Sequence, residues 1–110
     1  MKIVINRCHG GFGLSKKAIL RYAEIKGIEL VESEPDVYTY INEVNEEVYF
    51  IEWKICRDDP VLAQVVEELG DSANGAYCKL NVVEIPDDVD WVIDDYDGVE
   101  WVAEKHRVWS

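Results

Sequence analysis

Residues 2–15 read KIVINRCHGGFGLS, and the fold turns on this stretch. Lys2 to Ile5 is a short β-branched run suited to a buried strand. Asn6 to Gly13 is a loop with three glycines. Ser15 can accept from the open amides of the next turn and so start a helix. Leu14 and Ile19 then occupy the two positions of a hydrophobic staple. Ala18, Ile19, Tyr22 and Ala23 recur at helical spacing, and Gly27 ends the helix. A strand, a glycine loop and a helix N-terminus in succession make a cradle for an anion. Residues 1–26 also hold six Lys/Arg and one Glu, a basic opening in a chain of net charge −12. Lys16 and Lys17 fall in the first helical turn, where the macrodipole disfavours cations. A bound anion would relieve that conflict.

A chain of 110 residues is expected to form one globular domain over residues 1–110, large enough for one core. No apolar run approaches the ~18 residues of a membrane span, so no membrane role is expected. Lys2 is followed by only three apolar residues, which is no signal-peptide pattern. Cys8, Cys56 and Cys78 are odd in number and lack CxxC spacing, which favours reduced thiols in a cytoplasm. No zinc-ligand spacing is present, and neither metal nor cofactor is expected. Residues 27–110 carry 22 acidic and five basic groups. That excess argues against direct nucleic-acid binding.

Beyond Gly27 the pattern changes to strands. Ile28 to Val31 is a short strand or the exit from the helix, and 32–36 reads as a polar, proline-broken loop. Val37 to Ile41 and Val48 to Ile55 read as a hairpin with a longer connection. Asp59 as N-cap and Pro60 at the first helical position open a second helix. Val61, Leu62, Val65, Val66 and Leu69 form its apolar face, and Gly70 stops it. Lys79 to Ile85 is another strand. Asp90 to Val108 reads as a hairpin around Asp97-Gly98, with Asp95 facing Glu100 and Asp94 facing Trp101. The order implies an α+β fold, two helices on a mixed or mostly antiparallel sheet of about five to six strands.

Two constellations carry chemistry. In the front loop, glycine lets backbone amides approach a ligand, and Arg7 can fork onto a phosphate or carboxylate. The loop is neither a Walker loop nor G-x-G-x-x-G, so a plain tight turn competes evenly with a ligand site. Asn6, Arg7, Cys8, Gly10, Gly11 and Ser15 are its candidate ligand-binding residues. At the other end, Glu84 to Glu100 holds eight carboxylates and no cation. Asp94, Asp95, Asp97 and Glu100 are a candidate surface for a basic partner, against the plainer reading of a solvated face. Glu104, His106 and Arg107 on the last strand would complete the anion pocket. Cys8 as a nucleophile, or His106 oriented by Glu104 as an acid–base pair, ranks below binding, because no catalytic signature is matched.

The opening KIVINRCHGGFGLS and the ending YDGVEWVAEKHRVW resemble a group of small uncharacterised proteins of bacteriophages and prophages. The resemblance implies a protein in the host cytoplasm, expressed during infection or lysogeny. It supplies no mechanism. Two functions stand against each other: binding of a small anionic, nucleotide-like ligand at the front loop, or imitation of DNA charge to inhibit a host protein. Four tryptophans and six tyrosines also leave self-association into a homo-oligomer open. The sharpest geometric expectation is that the first strand is central, with the last strand beside it and Glu104 in reach of Arg7, Lys16 or Lys17.

Overall fold

The computed structural model describes residues 1–105. Seven strands and two α-helices form an α+β fold with three antiparallel sheets, one strand more than the upper expectation. The strands are β1 (Lys2–Asn6), β2 (Val31–Glu34), β3 (Val37–Ile41), β4 (Glu47–Tyr49), β5 (Leu80–Glu84), β6 (Trp91–Tyr96) and β7 (Val99–Glu104). The helices are α1 (Lys16–Lys26) and α2 (Pro60–Leu69). The sheets are β1-β5, β2-β3-β4 and the β6-β7 hairpin.

Both helices begin and end where capping chemistry dictates. The Ser15 hydroxyl accepts from the Ala18 amide, and Gly27 closes α1 in the left-handed conformation. Asp59 caps α2 by accepting from the Val61 amide, with Pro60 first in the helix. The same Asp59 carboxylate receives the Tyr22 hydroxyl at 2.6 Å and lies 3.2 Å from Lys26 Nζ. The cap of one helix therefore fastens it to the other. Burial pushes the Asp59 carboxyl up, but Tyr22, the Val61 amide and Lys26 outweigh it and hold it below its usual value. Val4, Leu14, Ala18, Tyr22, Leu62, Val65 and Val66 form the core between the helices and β1.

Two stretches depart from the sequence reading. Residues 32–36 are not a loop: Val31–Glu34 pairs with β3 as an exposed strand. Pro35 and Asp36, the latter at φ 62°, make the turn, as proline followed by a positive φ allows in a type II turn. Such a turn splays its strands, and the register shift between Glu32 and Glu34 absorbs the mismatch. The expected strand to Ile55 stops early. Phe50 still donates to Tyr38, then Glu52–Lys54 forms a 3₁₀ turn. There the Glu52 carboxylate accepts from the Leu14 amide, so the chain leaves the sheet to reach the front loop.

Strand β1 is fully buried from Ile3 to Asn6, as its unbroken apolar run required. One edge is paired along its whole length to β5, from Lys2↔Glu84 to Asn6↔Leu80. The other edge ladders with no strand among the described residues, so β1 is not central in a sheet as expected. It belongs to a two-stranded one and is covered by side chains and the helices. Its Val4 amide donates to the Arg57 carbonyl at 2.8 Å, and the Val4 carbonyl accepts from Arg57 Nη1 at 3.1 Å. Its Asn6 amide donates to Glu100 Oε1 at 2.7 Å. β7 thus lies beside β1 as expected, but it joins through a side chain instead of a backbone ladder.

Candidate functional site

The front loop leaves β1 at Asn6, whose side chain is completely buried and fully bonded. Its Nδ2 donates to the carbonyls of Cys8 (2.7 Å) and Gly98 (2.9 Å). Its Oδ1 accepts from the amides of Cys8 (3.1 Å) and Lys79 (2.9 Å). Asn6 therefore binds three segments together: the front loop, the lead-in to β5 and the turn of the β6-β7 hairpin. No bonding capacity is left for a ligand. Its role is to fix the loop.

The glycines serve the same junction. A Cβ on Gly10 would stand 1.8 Å from the Tyr77 carbonyl oxygen, so Gly10 is needed for close backbone approach. Gly75 is also close against Gly13, though less so: a Cβ would come within 2.7 Å of the carbonyl carbon. Gly98 lies over the backbone of His9 and Gly11, and the exposed His9 ring reaches the Asp97 carbonyl at 3.1 Å.

Three amides around the start of α1 are met by the protein's own groups. The Leu14 amide is taken by Glu52, the Ser15 amide by the Ala73 carbonyl at 2.9 Å, and the Ala18 amide by the Ser15 hydroxyl. Ser15 also donates its hydroxyl to the Ser72 carbonyl at 2.6 Å. Burial pushes the Glu52 carboxyl above its usual value against the opposing pull of the Leu14 amide. Lys16, expected to need an external anion, lies 3.3 Å from Glu32 on β2. Glu52 and Glu32 thus meet the Leu14 amide and the Lys16 ammonium from within the chain.

Arg7 stands outside this closed network. It is exposed, and its amide donates to the Lys79 carbonyl at 2.7 Å. This continues the β1-β5 register by one step and sets Arg7 opposite exposed Lys79. Like charges opposite one another are unfavourable unless something neutralises them. Among the described residues neither has a carboxylate within ion-pair distance, whereas Lys2, Lys16, Arg21, Lys26 and Arg57 are paired. Among those residues Lys17, Lys54 and Lys105 share this, and what sets Arg7 and Lys79 apart is that they lie opposite each other in the register. Tyr77, two residues before Lys79 and against Gly10, is 83% exposed and has a φ of 61°. A bulky residue held at positive φ is uncommon and strained.

The hairpin has the expected register, with Asp95↔Glu100 and Asp94↔Trp101. Its carboxylates nevertheless part company. Asp94, Asp95 and Asp97 are exposed, but Glu100 is turned inward onto Arg57 and does not belong to an outer acidic surface. Glu104 does not join the front loop either. It is exposed opposite Trp91, five residues beyond Val99 and so about 17 Å along the strand from the turn. Glu100 is the β7 carboxylate that meets β1. His106 and Arg107, expected in the same pocket, lie outside the described residues.

No family model, curated protein or solved structure matches the chain. The site rests on its own geometry. Cys8 is half-buried, Cys56 exposed and Cys78 buried, and no disulfide joins them. Burial pushes the Cys78 thiol up, which favours an inert thiol. Among the described residues no His, Cys, Asp and Glu group is placed to hold a metal, and no helix is long and apolar enough to cross a membrane. Sequence reasoning missed Glu52, Arg57 and Lys79. The signal available was scarcity: only five cations stand among 22 acidic residues after Gly27, and two of the five are Arg57 and Lys79.

Proposed function

We propose that the chain is a binding module for a small anionic ligand of nucleotide type, seated on Arg7 and Lys79 beside the glycine loop. The observation that carries this reading is the pair of adjacent cations without a carboxylate partner among the described residues, in a chain of 23 acidic and 11 basic groups. A phosphate or carboxylate bridging Arg7 and Lys79 would neutralise both, with arginine forking onto its oxygens. Tyr77, two residues before Lys79, offers an exposed ring for a base to stack on. The role of the buried network is preorganisation: Asn6, Gly10 and Gly98 hold the loop rigid, so little ordering cost falls on binding. In the bacteriophage setting that the two chain ends resemble, such a module would sequester a host nucleotide.

Titration calorimetry tests this with inorganic phosphate, nucleoside monophosphates and nucleoside triphosphates. Expected is micromolar binding of a nucleotide that weakens with salt. Arg7→Ala and Lys79→Ala should each weaken it by about tenfold or more, as loss of a charge-assisted contact does. Tyr77→Ala should weaken nucleotide but not inorganic phosphate. Binding no tighter than millimolar across the panel, or binding indifferent to Arg7→Ala and Lys79→Ala, would overturn the reading.

A further inference from the structure

The three-stranded sheet carries a second feature, remote in sequence from the front loop. One row across it runs Val31↔Thr39↔Tyr49, with Ile41↔Glu47 next to it; Thr39 at its centre is buried, and the side chains around it are open. Val31, Ile41, Val44 and Tyr49 are 61, 59, 70 and 67% exposed. Tyr38 is buried and Tyr40 packs edge-on to Phe50 at 6.5 Å on one side of β3; on the other side Thr39 is buried and Ile41, at the strand's end, is open. An open groove of about 1120 Å³ runs past this end of β3, from the exit of α1 to the β3-β4 connection. That connection is held rigid: Asn42 Oδ1 accepts from the amides of Val44 and Glu46 at 3.1 and 2.9 Å. Val44 is thereby presented to solvent on a fixed turn.

Charge decides what fits. Glu29, Glu43 and Glu47 line the groove, and no Lys, Arg or His is among its lining residues. A second copy of this chain would bring the same three carboxylates to an isologous contact, together with its own net charge of −12. A small hydrophobic ligand would leave those carboxylates unanswered. We infer that the groove docks a polypeptide segment whose apolar side chains lie over Val31, Ile41 and Val44 and whose flanking Lys or Arg residues meet Glu29, Glu43 and Glu47. Apolar contact would supply the affinity, and the acidic rim the selection and the rate of encounter.

Selection from a random peptide display library on the wild-type protein, followed by fluorescence anisotropy of the enriched peptides, tests this. The expected peptides have an apolar centre and Lys/Arg flanks. Replacing their flanks by Glu, or their centre by Ser, should each weaken binding by at least about tenfold. The double variant Ile41→Ser, Val44→Ser changes two exposed side chains, so it should keep the wild-type melting temperature and lose binding by a similar factor. Arg7→Ala should leave this binding unchanged, which separates it from anion binding. Absence of enrichment, enrichment of acidic peptides, or equal binding by the Ile41→Ser, Val44→Ser variant would overturn the inference. So would a concentration-dependent doubling of mass in sedimentation that the same double variant abolishes.

Discussion

Glu100 grips Arg57 with two parallel hydrogen bonds, Oε1 to Nη1 at 2.7 Å and Oε2 to Nη2 at 2.9 Å, and with Oε1 also takes the amide of Asn6. The two side chains are only 12 and 18% exposed. Arg57 Cζ lies over the Phe12 ring, 3.7 Å from its centroid, and the guanidinium donates to the Val4 carbonyl. Together the pair does for the open edge of β1 what a neighbouring strand would do: it satisfies backbone groups that burial would otherwise leave unpaired. It also fixes the β6-β7 hairpin to the rest of the domain.

Removing one partner should therefore cost more than an ordinary ion pair. Glu100→Ala leaves the Arg57 charge buried and the Asn6 amide without an acceptor, and should destabilise by about 3–5 kcal/mol. Glu100→Gln keeps an acceptor for Asn6 and should cost less. Combining Glu100→Gln with Arg57→Met should recover part of the loss, because no uncompensated charge remains. Urea denaturation of the three variants checks the order. Equal stability of Glu100→Ala and wild type would contradict the edge role.

Asn6 makes its own prediction. Asn6→Ala strands two amides and two carbonyls, those of Cys8, Lys79, Cys8 and Gly98, and should cost at least about 2 kcal/mol. Asn6→Asp fills the same space but turns an acceptor toward two carbonyls, and should be no better than alanine at neutral pH. Hydrogen exchange would read the site directly, with the Cys8 and Lys79 amides losing protection ahead of the β1 core.

What the sequence made legible was local. Ser15, Gly27, Asp59 and Pro60 act within one turn of themselves, and both helices begin and end by their rules. Asp97-Gly98 fixes the hairpin register for the same reason. The partners of Glu52 and Glu100 are long-range: Leu14 is 38 residues from Glu52, and Arg57 is 43 from Glu100. No periodicity encodes such a pairing. The chemistry of the front loop is that of an anion cradle; that Glu52 and Glu32 reach its Leu14 amide and Lys16 is decided by contacts far along the chain. The turn at Pro35-Asp36 was missed because acidic residues on both sides made a strand look like a loop.

The glycines separate two reasons for the same residue. Gly11 has φ 82° with open space around it, whereas Gly10 faces the Tyr77 backbone with no room for a methyl group. Gly11→Ala should therefore cost about 1 kcal/mol from backbone strain alone. Gly10→Ala must push two backbone segments apart and should cost more, with displaced resonances at Tyr77 and Cys78. Thermal melts and amide chemical shifts of the two variants make the comparison, and Gly11→Ala proving the costlier would refute it.

Glu52 offers a test with a pH signature. Its carboxyl is raised by burial even though the Leu14 amide donates to it, so the charged form is held at a cost in the folded protein. A raised folded value means that the folded state binds the proton more tightly than the unfolded chain. The stabilisation from protonation is complete below the unfolded value of about 4.3 and is lost as pH rises through the folded value above it. Glu52→Gln keeps an oxygen for Leu14 and has no charge to bury, so at pH 7 it should be as stable as wild type or more so. That difference should shrink as pH falls toward about 4, where wild-type Glu52 takes up its proton. Glu52→Ala removes the acceptor and should lose about 1–3 kcal/mol at every pH, because the Leu14 amide is left buried and unpaired. Denaturation curves of the three proteins across this range decide it, and a Glu52→Gln variant clearly weaker than wild type at pH 7 would show that the charge itself holds the loop.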